Sequence, residues 1–134
     1  MSLDIQQRER EGVTILDLKG RITVGPEASV LREKINSLVK AGVKNVILNL
    51  EGVDYIDSTG LGALVVSHTS LKRNGGAVKL LNLNKRNIEL LIMTKLATVF
   101  DLFSDEQDAV NSFFPDRKIK TFDILSFVQQ MKEE

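Results

Sequence analysis

The sequence predicts an α/β fold built on a largely parallel sheet, and three observations carry the prediction. Short runs of branched apolar residues, VTILDL and NVILNL among them, alternate with stretches whose apolar residues recur at helical spacing. Glycine, asparagine or proline stands at most of the junctions. The chain has 134 residues, 43% apolar and 27% charged, which suits one domain with a buried core and not a disordered chain. Strands alternating with helices imply βαβ units with right-handed crossovers, here in a sheet of four to five strands.

The elements follow in order. Val13 to Leu18 reads as a strand, and the weaker alternation from Leu3 to Arg8 pairs with it through a turn at Glu11-Gly12, giving an antiparallel N-terminal edge. Pro26 suits the first turn of a helix, along which Ala28, Leu31, Ile35, Leu38 and Val39 form one face until Gly42. Asn45 to Leu50 is a buried strand. A helix from Ser58 to about Arg73 ends at Asn74-Gly75-Gly76. Ala77 to Leu83 is the next strand, Asn87 to Leu96 a helix carrying Ile88, Leu91, Ile92 and Leu96, and Thr98 to Phe103 a last strand. Ser104-Asp105-Glu106-Gln107 has capping-box spacing ahead of Ala109, Val110, Phe113 and Phe114. Pro115 marks a break. Residues 1–114 are expected to form the domain and 115–134 an extension, with Phe122, Leu125, Val128 and Met131 on one face of a short helix.

Charge and composition narrow the function. Eighteen basic residues balance eighteen acidic ones, so no net basic field draws in nucleic acid or anionic lipid. With no cysteine, disulfides, thiolate metal sites and cysteine nucleophiles are all excluded. The start, MSLDIQQRERE, lacks the apolar core of a signal peptide, and no apolar run approaches a membrane span of about 20 residues. A cytoplasmic protein is expected.

The segment DYIDSTGLGALV, Asp54 to Val65, carries the chemistry. Ser58 would need a base to act as a nucleophile, and the one histidine, His68, lies ten residues away, about 15 Å along a helix. His68 also falls at helical spacing with Leu61, Leu64 and Val65, which makes it structural. Neither G-x-S-x-G nor a phosphate-binding G-x-x-x-x-G-K-[ST] occurs. Asp54 and Asp57 alone make a weak magnesium site. No catalytic residue, metal ligand or cofactor is therefore assigned. Asp57 or Ser58 is at least a helix N-cap.

The helix that follows has an unusual outer face. At about 100° per residue, Leu61, Leu64, Val65, His68 and Leu71 fall on one side. Thr59, Gly62, Ala63, Val66 and Ser70 fall on the other, with no charge before Arg73. Gly62 costs such a helix about 1 kcal/mol relative to alanine. A small, uncharged face admits another backbone closely, either a partner's or the chain's own extension. A phosphoryl group on Ser58 would meet the positive end of the helix, so the fold would tolerate it. Its added charge of about −1.5 to −2 would oppose burial in an interface.

With Asp57-Ser58-Thr59-Gly60-Leu61-Gly62 between a strand and a helix, the sequence resembles the STAS domain of bacterial anti-sigma factor antagonists, from about residue 3 to Phe114. The resemblance implies a substrate and not a catalyst. An anti-sigma factor that is also a serine kinase binds the unphosphorylated antagonist and frees its sigma factor. It then uses ATP to phosphorylate the serine after the motif aspartate, here Ser58, and a serine phosphatase later resets the chain. Asp57, Ser58, Thr59, Gly62, Ala63 and Val66 become the implied partner contacts. One departure stands out: Gly20-Arg21-Ile22-Thr23 places Thr23 where several relatives have aspartate. Other readings stay open, namely a constitutive scaffold module, as in lipid-transport assemblies, and a nucleotide-binding module at the Ser58 turn. Self-association through the 115–134 extension is a further expectation.

Overall fold

The computed structural model describes residues 3–133. β1 (Leu3–Arg10) and β2 (Val13–Ile22) form the expected antiparallel hairpin. Its two-residue turn has Glu11 at φ 53° and Gly12 at φ 82°, the left-handed pair whose twist matches that of the flanking strands. β2 runs parallel to β3 (Asn45–Ile56), β3 to β4 (Ala77–Leu81) and β4 to β5 (Asp101–Phe103), so the sheet order is the chain order. Because that order never reverses, right-handed crossovers deliver α1 (Pro26–Lys40), α2 (Ser58–Arg73) and α3 (Lys85–Met93) to one face. α4 (Glu106–Asn111) covers part of the other face, and α5 (Ile124–Glu133) follows.

The strands read as continuous apolar runs because both faces are covered. Leu16, Leu48, Leu80 and Leu102 point into the main core with Leu31, Ile35, Leu64, Leu71 and Leu91 of the helices. Their neighbours Ile15, Ile47, Leu81 and Phe103 point the other way, under Ala109 and Val110. Each such side chain contributes roughly 1.5–3 kcal/mol by leaving water. Beside α4 the second face turns polar. Arg8 bonds Asp17 (Nε to Oδ2, 2.7 Å), and the Asn49 amide donates to Asp17 (2.8 Å).

Several expected boundaries move. β3 continues past Leu50 to Ile56, where it leaves β4 but keeps β2, with register shifts on either side of the Lys19–Gly52 and Gly20–Val53 pairings. Gly52 is needed there, since a Cβ would stand 2.9 Å from the Leu18 carbonyl oxygen. α3 begins earlier than expected because the Asn84 side chain accepts from the Asn87 amide (2.8 Å). It ends at Met93 because Lys95 takes φ 64° and the Leu96 amide bonds back to the Leu91 carbonyl. Residues 97–99 form a turn and Phe100 a bend, so β5 has only three residues. The capping box does not form. Asp105 caps α4 by accepting from the Asp108 amide (3.0 Å), while Arg8 and Arg10 bond Glu106, and Arg10 also bonds Gln107. The Arg8 bond, aided by Arg10, holds the Glu106 carboxyl down at about 2 against burial that would raise it.

Past α4, Arg117 stacks on Phe114 (4.0 Å to the ring centroid) and pairs with Glu11 (2.9 Å). Phe122 and Ile124 pack against the main core. The half-buried face of α5 is Ile124, Phe127, Val128 and Met131, and Leu125 is 83% exposed, so the expected stripe is rotated and Phe122 precedes the helix. Among the described residues, no helix is long and apolar enough to cross a membrane, and no three His, Cys, Asp or Glu side chains converge as a metal site would require.

Candidate functional site

The β2–β3 extension carries the chain directly to the Asp57 turn. There the Asp57 amide donates to the Ile22 carbonyl (3.3 Å), and Leu61 closes the first turn of α2 by donating to the Asp57 carbonyl (2.8 Å). The Asp57 carboxylate is the N-cap. One oxygen accepts from the Gly60 amide (2.8 Å) and the other from the Val24 amide (2.9 Å), which ties α2 to the loop after β2. Burial pushes this carboxyl up. The amides of Gly60, Val24 and Thr59 together outweigh it, so its pKa lies below the ordinary aspartate range.

The two glycines of the motif do different things. A Cβ on Gly60 would sit 1.8 Å from the Ile22 carbonyl oxygen, so only glycine lets α2 start this close to the end of β2. A Cβ on Gly62 would find no atom within 4 Å. Gly62 is exposed inside a helix, and among the described residues nothing requires it to be glycine.

Ser58 is the first residue of α2 and is exposed. Thr59 is half-buried, Gly62 is exposed and Val66 is 49% exposed, along one side of the helix. Ala63 departs from the expected outer face. It is 0% exposed within the main core, and Ser67, one turn on, is also buried and donates its hydroxyl back to the Ala63 carbonyl (2.8 Å). The wheel placed Ala63 outward because it allowed for burial against the sheet alone, whereas α1 also packs on α2. His68 is half-buried and lies edge-on to Phe100 (5.3 Å between centroids). Burial, then Lys72, lowers its pKa, in keeping with a structural role.

Neighbours without a periodic signal complete the surface. Val24, in the loop bonded to Asp57, is 68% exposed. Thr23, one residue earlier, is half-buried, and its carbonyl accepts from the Ala28 amide (3.2 Å). Asn84 and Asn87 at the start of α3 donate to the Val53 carbonyl, which fixes α3 beside β3. A groove of about 320 Å³ therefore runs from Ser58 past Tyr55 to Arg86 and Met93, with the Arg86 guanidinium over the Tyr55 ring (5.4 Å). Exposed Tyr55 and Met93 add apolar surface beside the serine, with Arg86 and Glu89 in the same groove. The signal for this groove was the asparagine pair, whose role appears only once β3 is seen to run on to Ile56.

Comparison with known proteins agrees with this architecture. The STAS domain family model matches residues 4–109. The anti-sigma-B factor antagonist of Bacillus subtilis is 34% identical over 110 residues, covering 82% of this chain and 99% of that protein. The anti-sigma F factor antagonist of Paenibacillus polymyxa is 23% identical over 82% of this chain and 94% of its own length. An anti-sigma factor antagonist from Mycobacterium paratuberculosis shares the fold at TM-score 0.73 and 20% identity, over 82% and 92% of the two chains. The Bacillus cell fate determinant SpoIIAA in its phosphorylated form does so at TM-score 0.64 and 20% identity, over 82% and 99%. The element order, the Asp57-capped turn and these matches together place the chain in the family of STAS-domain anti-sigma factor antagonists.

Proposed function

We propose that this protein is an anti-sigma factor antagonist that works by partner switching in the cytoplasm. The unphosphorylated chain binds an anti-sigma factor serine kinase and so frees a sigma factor. Transfer of the γ-phosphoryl group of ATP to the Ser58 hydroxyl ends the contact, and a serine phosphatase restores it by hydrolysis. The chain is the acceptor and supplies no catalytic residue.

The observation that carries this reading is Gly62, an exposed helical glycine with open space around it, one turn from an exposed serine. The helix gives up about 1 kcal/mol for it, and close approach of a partner backbone accounts for that cost. Asp57 holds the turn, and Thr59, Gly62 and Val66 with Val24 form the contact surface. Ala63 supports it from within the core. A phosphoryl group on Ser58 lies at the positive end of α2, where the fold accepts it. Burying the same charge in the contact would be strongly unfavourable. Thr23 carries no charge toward the kinase, and slower transfer than in relatives with aspartate there is expected.

The test is binding to the cognate anti-sigma factor. Ser58→Ala should bind and resist release by ATP, whereas Ser58→Asp should fold and fail to bind. Equal affinity of both variants would rule the proposal out.

A further inference from the structure

Where β4 and β5 end beside β3, the three parallel strands line one pocket of about 210 Å³. Each contributes a polar side chain at or just past its last pairing with its neighbour: Glu51 from β3, Asn82 after β4 and Ser104 after β5. The floor is apolar, made by Leu83, Ile88 and Phe103. Phe122 lines the remaining side, its amide bonded to the Leu102 carbonyl (2.9 Å) and its ring against Phe127 (5.8 Å between centroids). Phe122 lies beyond residue 109, where the family match ends, so the enclosure is built from this chain's own extension.

The polar groups specify the ligand. Asn82 stands at φ 59°, a left-handed conformation held by its amide bond to the Phe103 carbonyl (2.9 Å). Its side-chain NH₂ donates to one oxygen of Glu51 (3.2 Å). Among the described residues, no group donates to the Asn82 side-chain oxygen, which is left as an acceptor. Among the described residues, no group donates to the second Glu51 oxygen. The mouth therefore offers a carboxylate oxygen and an amide oxygen side by side, and Glu51 is the one charged residue lining it. An ammonium group, with three donors and no acceptor, is the complement of that pair. A cavity of about 150 Å³ holds benzene, so this one accommodates a ring with a short arm.

We infer that the pocket binds a small aromatic amine, its ring against Ile88, Phe103 and Phe122 and its ammonium on Glu51 and Asn82. This site is separate from the Ser58 turn and does not depend on its phosphorylation. The test is an NMR titration of the full chain with phenethylammonium, 2-phenylethanol and 3-phenylpropionate, which share a ring and arm and differ in charge. Saturable shifts are expected at the amides of Asn82, Leu83, Phe103, Ser104 and Phe122, with the amine bound about tenfold more tightly than the carboxylate. Glu51→Gln should bring the three ligands to within about twofold of one another, and Phe122→Ala should weaken all of them while leaving the spectrum dispersed. Equal binding of the three probes by the unaltered chain, or shifts that do not saturate at these residues, would overturn the assignment.

Discussion

Replacing Gly62 with alanine separates what the fold needs from what a partner needs. The added Cβ would meet no atom within 4 Å, so no steric cost opposes the gain in helix propensity. That gain is about 0.8–1 kcal/mol at a helix interior, equivalent to a rise of roughly 3–5 °C in Tm for a domain of this size. The same methyl group would project into the proposed contact and weaken anti-sigma factor binding by about tenfold or more. Gly60→Ala is the control. Its Cβ would collide with the Ile22 carbonyl oxygen at 1.8 Å, and a loss of about 3 kcal/mol is expected. Urea and thermal unfolding followed by circular dichroism read the stabilities, and calorimetry reads the binding. A Gly62→Ala protein that is less stable than the parent, or one that is more stable and binds undiminished, would refute the reasoning.

Other expectations follow from the caps and charges. Asp57→Ala removes the cap of α2 and the bond to Val24, and should cost about 1–2 kcal/mol in urea unfolding; Asp57→Asn, which keeps an acceptor oxygen, should cost less than half of that. Glu106 has a folded pKa of about 2 against an ordinary 4.5, so its pairing with Arg8 and Arg10 stabilises the fold fully above about pH 4.5 and is lost as the pH falls toward 2. Urea midpoints measured across that window should fall, and Glu106→Gln should flatten the part of the slope that Glu106 contributes. Ser67→Val leaves a buried position without its bond to the Ala63 carbonyl and adds volume in a packed flank, so a destabilisation of about 1–3 kcal/mol is expected from thermal melts.

Much of the fold was legible because local signals and tertiary packing coincide. The Pro26 start, the Gly42 and Asn74-Gly75-Gly76 stops and the apolar runs of β2 and β3 each had a local cause that the structure keeps. What was missed depended on distant partners. The segment from Glu51 to Ile56 lacks a strand-like apolar run and extends β3 only because β2 pairs with it across two register shifts. The cap of α4 passes from Ser104 to Asp105, while Arg8 and Arg10, about a hundred residues earlier, bond Glu106 and Gln107 in place of a capping box. Ala63 looked exposed on a wheel that considered one buried direction, when α2 has two. At the site, the Asp57–Ser58 turn was readable from six residues. The groove toward Arg86 and Met93 was not, since it depends on where Asn84 and Asn87 anchor α3.

The central claim is that Ser58 is a regulated phosphoryl acceptor. Intact-mass analysis with site mapping, on the protein isolated from its native cells under several growth and stress conditions, tests it most directly. The account predicts a single phosphoryl group on Ser58 whose occupancy changes with condition. A chain unmodified at Ser58 under every condition would contradict it.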